Sequence, residues 1–176
     1  MGTVSARAGE PIDPAATHVN LEGDLAVADV EALRALPMLD ALGLNFAFGV
    51  SDELVAVVGQ LGRLVSLDLS CTDVTDAGVA HLVGLQRLAH LRIKETAIGD
   101  RACFAIAKLA ALESLNLKQT RIGDVGLRPL AALSRLALLV LSAPHPGEAR
   151  FTRRGVRQLR AALPACEIIV QGWERA

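Results

Sequence analysis

The chain has 176 residues, which is enough for one domain with a sizeable core. Hydrophobic residues make up 52% of it, aromatic residues only 3%, and tyrosine is absent, so the core must be aliphatic. The formal net charge of −1 excludes a general attraction to nucleic acid or to an anionic membrane. The sequence contains neither the apolar run of a signal peptide nor the roughly 18 apolar residues of a membrane span.

The first residues of the chain show no sequence repeat. Residues 1–15 carry two glycines and two prolines, so they are predicted to form a flexible lead. Residues 16–176 are predicted to form a single repeat domain with a cap at its C-terminal end. Its first two strands are predicted at His18–Leu21 and Leu42–Leu44, with a helical face between them.

The second repeat is slightly longer than those that follow it. The step from Leu42 to Leu67 exceeds the step from Leu67 to Leu91 by a single position, and the additional residue falls in the segment NFAFGV. We expect Phe46 to lie on a bulge at the edge of the sheet. Phe48 is expected at the position that later repeats fill with threonine.

From Leu64 to Leu141 the pattern recurs at one constant interval without slippage. A fixed period in the range of roughly 20–50 residues is typical of a solenoid, in which each repeat buries its apolar side against its neighbours. Alternating apolar residues predict one strand per repeat. These strands are Leu67–Leu69, Leu91–Ile93, Leu115–Leu117 and Leu139–Leu141, and Leu67, Leu91, Leu115 and Leu139 share one column.

Two polar columns recur at the same interval. The threonines at 72, 96 and 120 are predicted to bond buried backbone in the turn after each strand. Thr75 with Asp76 precedes a short helix and is predicted to cap its free N–H groups, and Asp100 and Asp124 repeat this arrangement.

After Leu141 the interval to the next strand becomes longer than any before it. The insertion APHPGEAR contains Pro144, Pro146 and Gly147, which predict irregular structure. The last helix is predicted at Arg153–Ala162 and a seventh strand at Ile168–Val170. Trp173 is expected to cover the open end of the core, as a terminal repeat must.

The motif LxxLxLxxTxV, followed by TDAGV or GDVGL, resembles the leucine-rich repeat family. Within that family it is similar to the ribonuclease-inhibitor-like type, over about residues 16–171. The resemblance implies an α/β solenoid, a right-handed superhelix with about seven parallel strands on the concave face and short helices on the convex face. It also implies binding of another protein on the concave sheet, and it implies no shared catalytic residue.

The outward strand positions form a polar surface in the middle of the sheet. Arg92, Lys94 and Lys118 are expected to pair with carboxylates of a partner, and Phe46 is expected to supply an apolar anchor. Ser70 and Cys71 are also expected to face outward. The full set of predicted partner-binding residues is Phe46, Asp68, His90, Arg92, Lys94, Glu95, Asn116, Lys118 and Gln119.

Two other functions remain open from the sequence. Ser114, His90 and Asp68 are the residue types of a nucleophile, base and orienting acid, which would make the chain a hydrolase. No Gly-rich turn faces them to stabilise an oxyanion, and a sheet offers no closed pocket, so a non-enzyme is favoured. The C-terminal helix carries a second candidate, a basic patch for nucleic acid or an acidic partner. Its arginines are Arg150, Arg153, Arg154, Arg157 and Arg160.

The three cysteines indicate neither disulfides nor zinc, because their number is odd and no CxxC spacing occurs. Cys103 is predicted to be buried and inert. Reduced thiols predict a cytoplasmic protein, and the Ala, Leu, Arg and Gly bias suggests a bacterial one. We expect no cofactor, metal or small-molecule substrate. A monomer is favoured, and the partner could make the chain an inhibitor, an immunity protein or an adaptor.

Overall fold

The computed structural model describes residues 3–143 and 151–173, whose backbone forms one sheet of eight parallel strands. Strands that follow one another in the chain are neighbours in the sheet, so each repeat lies beside the one before it. The strands are β1 Thr3–Arg7, β2 His18–Glu22, β3 Ala41–Gly43, β4 Ser66–Asp68, β5 His90–Arg92, β6 Ser114–Asn116, β7 Leu138–Ser142 and β8 Glu167–Gln171.

Helices fill the return path between strands from β2 onward, because parallel strands need a crossover connection. They are α1 Val27–Ala32, α2 Asp52–Val58, α3 Asp76–Ala80, α4 Asp100–Ile106, α5 Asp124–Leu130 and α6 Arg153–Ala162. Short 3-10 turns at Leu33–Ala35 and His81–Gly84 continue α1 and α3. Each helix packs against the next, and α6 confirms the predicted bounds. Among the described residues, no helix has the length and apolarity needed to cross a membrane.

The leucine columns of the sequence are adjacent rows of the sheet. Leu67 pairs with Leu91, Leu91 with Leu115 and Leu115 with Leu139, which confirms the predicted register. All four side chains are at most 1% exposed. Burying a leucine stabilises the fold by about 1.5–3 kcal/mol, so these stacked columns are the main source of stability.

Strand β1 differs from the sequence-based prediction of a flexible lead at residues 1–15 and of seven strands in all. Thr3–Arg7 pairs in parallel with His18–Glu22, and Ala6 lies beside Leu21 and is buried. The step in sequence from Thr3 to its partner His18 is much shorter than the step between later strands. The strand therefore lies outside the constant period that revealed the others, and it carries no leucine.

The turn after each strand has the same backbone geometry in four successive repeats. Phe46, Cys71, Glu95 and Gln119 all have a left-handed φ, between 53° and 62°. The threonine that follows then donates its hydroxyl to the carbonyl at the end of the strand. Thr72 bonds Leu69, Thr96 bonds Ile93 and Thr120 bonds Leu117, at 2.7–2.9 Å, as predicted.

Repeat two places its additional residue differently from the prediction. Ala47 is 5% exposed and occupies the threonine position, whereas Phe48 is 73% exposed. Phe46 does not lie on a bulge, because its N–H donates to the Ser70 carbonyl at 3.1 Å as in the regular ladder. Alanine is small enough to fill the threonine site, and a phenylalanine ring is not.

The aspartates at the start of the helices cap the following helix rather than their own. Asp76 Oδ1 accepts the N–H of Gly99 at 2.6 Å, and Asp100 Oδ1 accepts the N–H of Gly123 at 2.6 Å. Thr75 does cap its own helix α3, accepting the Ala77 N–H at 3.2 Å. Because the repeats stack side by side, each carboxylate lies within hydrogen-bond distance of the helix start in the next repeat, although the two residues are far apart in the sequence. The full capping ladder is Asp52 to Thr75, Asp76 to Gly99, Asp100 to Gly123 and Asp124 to Thr152.

The C-terminal end of the core is covered by an aromatic pair. The rings of Phe151 and Trp173 meet edge to face with centroids 5.6 Å apart, and the Arg153 guanidinium lies 5.0 Å from the Trp173 centroid. Trp173 packs against the core, in agreement with its predicted covering role. The predicted irregular insertion, with Pro144, Pro146, Gly147 and Arg150, lies outside the described residues.

Candidate functional site

The open face of the sheet is the face turned away from the helices, where residues alternate with the buried leucines. The strand register aligns its side chains in rows that run across the repeats. One row is His18, Ala41, Ser66, His90, Ser114 and Leu138. The next row is Asn20, Gly43, Asp68, Arg92, Asn116 and Val140. The middle of this face is therefore polar, and its C-terminal end is apolar.

Two of the three predicted cations already have partners within the chain. Arg92 Nη1 lies 3.8 Å from Asp68 Oδ2 on the neighbouring strand. Lys94 Nζ lies 3.1 Å from Glu95 Oε1. Among the described residues, Lys118 has no such ion pair. The Arg92–Asp68 pair joins in-register neighbours on adjacent strands, whereas Lys94 and Glu95 are consecutive in the chain. Pairing of the three cations with carboxylates of a partner stays a prediction.

Glu95 lies between two lysines. The hydrogen bond from Lys94 is the main cause that lowers the pKa of Glu95, and the charge of Lys118 lowers it further. The same bond raises the pKa of Lys94. The side chains of Lys94 and Glu95 are 30% and 41% exposed, so this charge network is accessible to solvent.

Phe46 lies beside this network at the rim of the sheet. Phe46 is 65% exposed, and Lys94 Nζ is 5.8 Å from the centroid of its ring. The predicted anchor is therefore close to the predicted charges. Phe48, predicted at the inward turn position of the threonines, is a second exposed residue on the same turn. The one-residue insertion in this repeat is the sequence signal that could have predicted the exposure of Phe48.

Several predicted site residues are fixed by bonds to the backbone. Asp68 Oδ1 accepts the N–H of Ser70 at 2.9 Å, and Asn116 Oδ1 accepts the N–H of Lys118 at 3.1 Å. Gln119 donates its N–H to the Ser142 hydroxyl at 2.7 Å. These bonds hold the ends of the strands in one conformation, so the surrounding side chains are displayed on a rigid backbone.

Ser70 and Cys71 differ from the outward positions predicted for them. Ser70 is fully buried and its hydroxyl has no hydrogen-bond partner among the described residues, while Cys71 is half-buried. Burial raises the pKa of the Cys71 thiol, and the Glu95 carboxylate raises it further. Cys103 is buried as predicted, and burial raises its pKa strongly. Neither thiol has the lowered pKa of a nucleophile.

The Ser114, His90 and Asp68 set does not form a hydrogen-bonded triad. His90 and Ser114 are strand partners, as predicted. In the described part of the chain, however, neither side chain makes a hydrogen bond, and Asp68 is engaged by Arg92 and the Ser70 N–H. Asp68 lies opposite Arg92 on the adjacent strand, whereas His90 lies opposite Ser66, so Asp68 is only a diagonal neighbour of His90.

Two arginines of α6 contact the C-terminal cap. Arg153 lies over Trp173, and Arg160 donates to the Ile168 carbonyl at 2.9 Å. Like Arg154 and Arg157, both remain exposed on the helix. A basic patch on this helix therefore stays a prediction.

Two further features of the described residues bear on ligand binding. Within residues 3–143 and 151–173, no group of three or more His, Cys, Asp or Glu side chains is arranged to hold a metal ion. A cleft of about 450 Å³ opens near the N-terminal strand, away from the open face. Its lining is largely apolar and includes Pro11, Ile12, Leu21 and Leu36. Sequence reasoning missed this cleft because the turn after β1 forms one of its walls.

The fold and the repeated turn define a leucine-rich repeat solenoid. A family model described as leucine-rich repeat matches residues 64–83 and 110–131. These segments fall within the repeats whose register is most regular. Comparison with curated proteins finds no sequence match.

Several solved structures share this fold. Internalin C2 of Listeria monocytogenes aligns with a TM-score of 0.68 and 23% identity, over 88% of this chain and 61% of that protein. A leucine-rich repeat protein of Leptospira interrogans aligns with a TM-score of 0.52 and 20% identity, over 86% of this chain and 46% of its own. A plant peptide hormone receptor, RGFR1 in complex with RGF2, aligns with a TM-score of 0.51 and 18% identity, over 86% and 26% of the two chains. This chain thus spans less than two thirds of each of them.

Proposed function

We propose that this chain is a non-catalytic module that binds a partner protein on the open face of its sheet. The observation that carries the proposal is a solvent-accessible charge network beside an exposed aromatic ring, both displayed on rigid strands. The proposed contact residues are those predicted from the sequence, namely Phe46, Asp68, His90, Arg92, Lys94, Glu95, Asn116, Lys118 and Gln119.

The charges of this surface are free to change partners. A solvent-exposed ion pair contributes about 0–1 kcal/mol to stability, so the fold loses little when one opens. The Arg92 side chain is 70% exposed and its distance to Asp68 is 3.8 Å, which is a loose contact. Arg92 can therefore turn to a partner carboxylate, and Asp68 can accept a partner cation in its place.

The fixed backbone favours binding as well. The hydrogen bonds that Asp68 and Asn116 accept from backbone N–H groups of the following turns order the strand ends before any partner arrives. Because ordering flexible segments opposes association, a surface that is already ordered binds more tightly for the same contacts. Phe46 supplies apolar area that gains free energy only when another surface covers it.

Analogy with the relatives supports the same class of function, since leucine-rich repeat proteins generally mediate protein–protein interaction and one structural neighbour is a receptor in complex with RGF2. The proposal takes the eight-stranded sheet and its helices as one monomeric domain of the ribonuclease-inhibitor-like type, in a bacterial cytoplasm. It includes no cofactor and no small-molecule substrate. The partner would make the chain an inhibitor, an immunity protein or an adaptor.

Charge reversal on the open face tests this proposal. Purified chain with Arg92→Glu and Lys118→Glu is compared with wild type as bait for proteins of the source organism, quantified by mass spectrometry. We expect the specific partner to fall by roughly tenfold or more, because like charges across an interface repel. A matched control reverses Arg101 and Lys108, which lie on the helical side.

The control separates loss of binding from loss of fold. Urea unfolding must give similar midpoints for both double variants, because all four positions are at the surface. Retention of the partner by the helical-side variant together with its loss from the open-face variant supports the proposal. Equal capture by all three proteins would place the binding surface elsewhere.

A further inference from the structure

Most aromatic residues of this chain are displayed on its surface instead of being buried. The chain has four phenylalanines, and three of them, Phe46, Phe48 and Phe104, are 65%, 73% and 53% exposed. The core is built from aliphatic side chains, with Phe151 as its phenylalanine. An exposed phenylalanine adds little to folding, whereas aromatic side chains are enriched where proteins bind one another.

Phe46 and Phe48 occupy positions where a smaller residue would serve the fold better. Phe46 has φ 62°, a conformation that glycine adopts without strain, and Gly23 and Gly172 do occupy the same turn position in terminal repeats. Phe48 is part of the additional segment of repeat two, where Phe48 and Gly49 stand in place of the single Asp73 of repeat three. This turn therefore combines backbone strain at Phe46 with an inserted residue beside Phe48. Each of these two unfavourable features coincides with an exposed aromatic ring.

The turn that carries these rings is rigid. Phe48 donates its N–H to the Gly23 carbonyl at 2.8 Å, and its own carbonyl accepts the Leu25 N–H at 2.9 Å. Gly49 has φ 75°, and a Cβ there would collide with the Leu25 carbonyl, so the chain passes close to the first repeat. A ring on such a fixed turn loses little conformational entropy when a partner covers it.

Unpaired carboxylates flank the exposed rings. Asp24 forms a parallel bridge with Phe48, and Asp73 holds the corresponding turn position in the next repeat. Both are exposed, and within the described residues neither carboxylate has an ion pair or a hydrogen bond. Lys94 Nζ already lies 5.8 Å from the Phe46 centroid, so one ring face accepts a cation within the chain itself. Arginine and lysine side chains both stack on aromatic faces and pair with carboxylates.

We propose that Phe46, Phe48, Asp24 and Asp73 form a docking ridge for an arginine- or lysine-bearing segment of a partner protein. This inference rests on the proposed function and adds the chemistry of the partner to it. The rings supply apolar area and cation contacts, and the two carboxylates select positive charge. The partner then continues across the open face, where its own acidic groups meet Arg92 and Lys118.

Selection of random linear peptides displayed on phage tests the ridge without knowledge of the partner. The wild-type chain is the immobilised target. We expect enriched peptides to carry an excess of arginine and lysine, and their affinity to fall roughly tenfold or more for the Phe46→Ser, Phe48→Ser variant, as for truncation of an aromatic hot spot. The Asp24→Asn, Asp73→Asn variant should lose affinity and salt dependence together.

Phe104→Ser is the matched control, because it removes a similarly exposed ring from a helix. It should leave peptide affinity unchanged. Neutral or acidic peptides, absence of enrichment, or equal affinity for the Phe46→Ser, Phe48→Ser variant would each overturn the ridge. Peptides that respond to Arg92→Glu, Lys118→Glu but not to loss of the rings would overturn the ridge and leave binding on the open face intact.

Discussion

Asp124 binds Thr152 across the longest gap between repeats, accepting both its N–H at 2.8 Å and its hydroxyl at 2.9 Å. The sequence carries an insertion between these two residues, yet the capping ladder continues unchanged. The same carboxylate lies where a Cβ on Gly155 would be, in the first turn of α6. The ladder therefore fixes the position of the last helix on the solenoid, and it requires glycine beneath the aspartate.

A double-mutant cycle tests this packing. Asp124→Ala should lower the free energy of unfolding by about 1–3 kcal/mol, because the backbone and hydroxyl donors of Thr152 lose their acceptor. Gly155→Ala alone should destabilise because its methyl group meets the carboxylate, although alanine is favoured over glycine in helices by about 1 kcal/mol. In the Asp124→Ala background the same change should become neutral or stabilising. Urea unfolding measures the coupling, and additive effects would disprove the contact.

Substitution by glycine should stabilise the fold at a left-handed turn position and destabilise it at the position before. Gln119 has φ 53°, so Gln119→Gly relieves strain and should raise the free energy of unfolding by about 0.5–1 kcal/mol. Lys118→Gly is the control at the preceding position, whose φ is negative, and it should destabilise by a similar amount. Urea midpoints compare the two variants. A loss of stability in both would mean that the Gln119 side chain contributes more than its strain costs.

Thiol labelling reports the environment of Cys71. Burial and the Glu95 carboxylate raise its pKa, so less thiolate is present at a given pH and alkylation at pH about 8 should be slower than for an unperturbed thiol. Glu95→Gln removes the second cause, which should lower the pKa and speed the reaction. Glu113→Gln, which opens a distant pair with Arg135, should not change the rate. Peptide mapping follows each cysteine, and slower labelling of Cys71 in Glu95→Gln would contradict the assignment.

The contact between the two rings of the C-terminal cap should contribute more to the free energy of unfolding than the arginine that lies over it. Trp173→Ala removes the edge-to-face contact with Phe151 and uncovers the end of the core, so we expect a loss of about 1–3 kcal/mol. Arg153→Ala removes only the exposed cation over the ring and should cost about 0.5–1 kcal/mol. Thermal and urea unfolding rank the two variants. The reverse ranking would show that the arginine, not the ring, holds the cap.

The sequence was sufficient for the repeating part of the fold. Leu67 and Leu91 are adjacent because identical repeats stack identically, so one interval determines both strand and register. The bonds from Thr72 and its equivalents followed from the same alignment. Strand β1 could not be found in this way, because its spacing to β2 differs from the period and Ala6 is too small to mark a core column.

Contacts between repeats were harder to predict than contacts within one. In the sequence, Asp100 stands where it could cap its own helix. Only the stacking of the repeats shows that its carboxylate accepts the N–H of Gly123 in the next repeat instead. Arg92 and Asp68 were both assigned to the open face, but their pairing depends on the distance between two strands. Phe48 was misplaced because an insertion shifts the alignment by one position, and packing decides which residue is turned outward.

Site-specific photo-crosslinking from position 90 is the most direct test of the open face as the binding surface. His90 is exposed at the centre of the sheet and makes no hydrogen bond in the described part of the chain, so a photoreactive phenylalanine analogue there should leave the fold intact. The same analogue at Arg101, on the helical side, is the control. We predict a crosslinked partner from position 90 and none from position 101. Crosslinking from position 101 alone would contradict docking on the sheet.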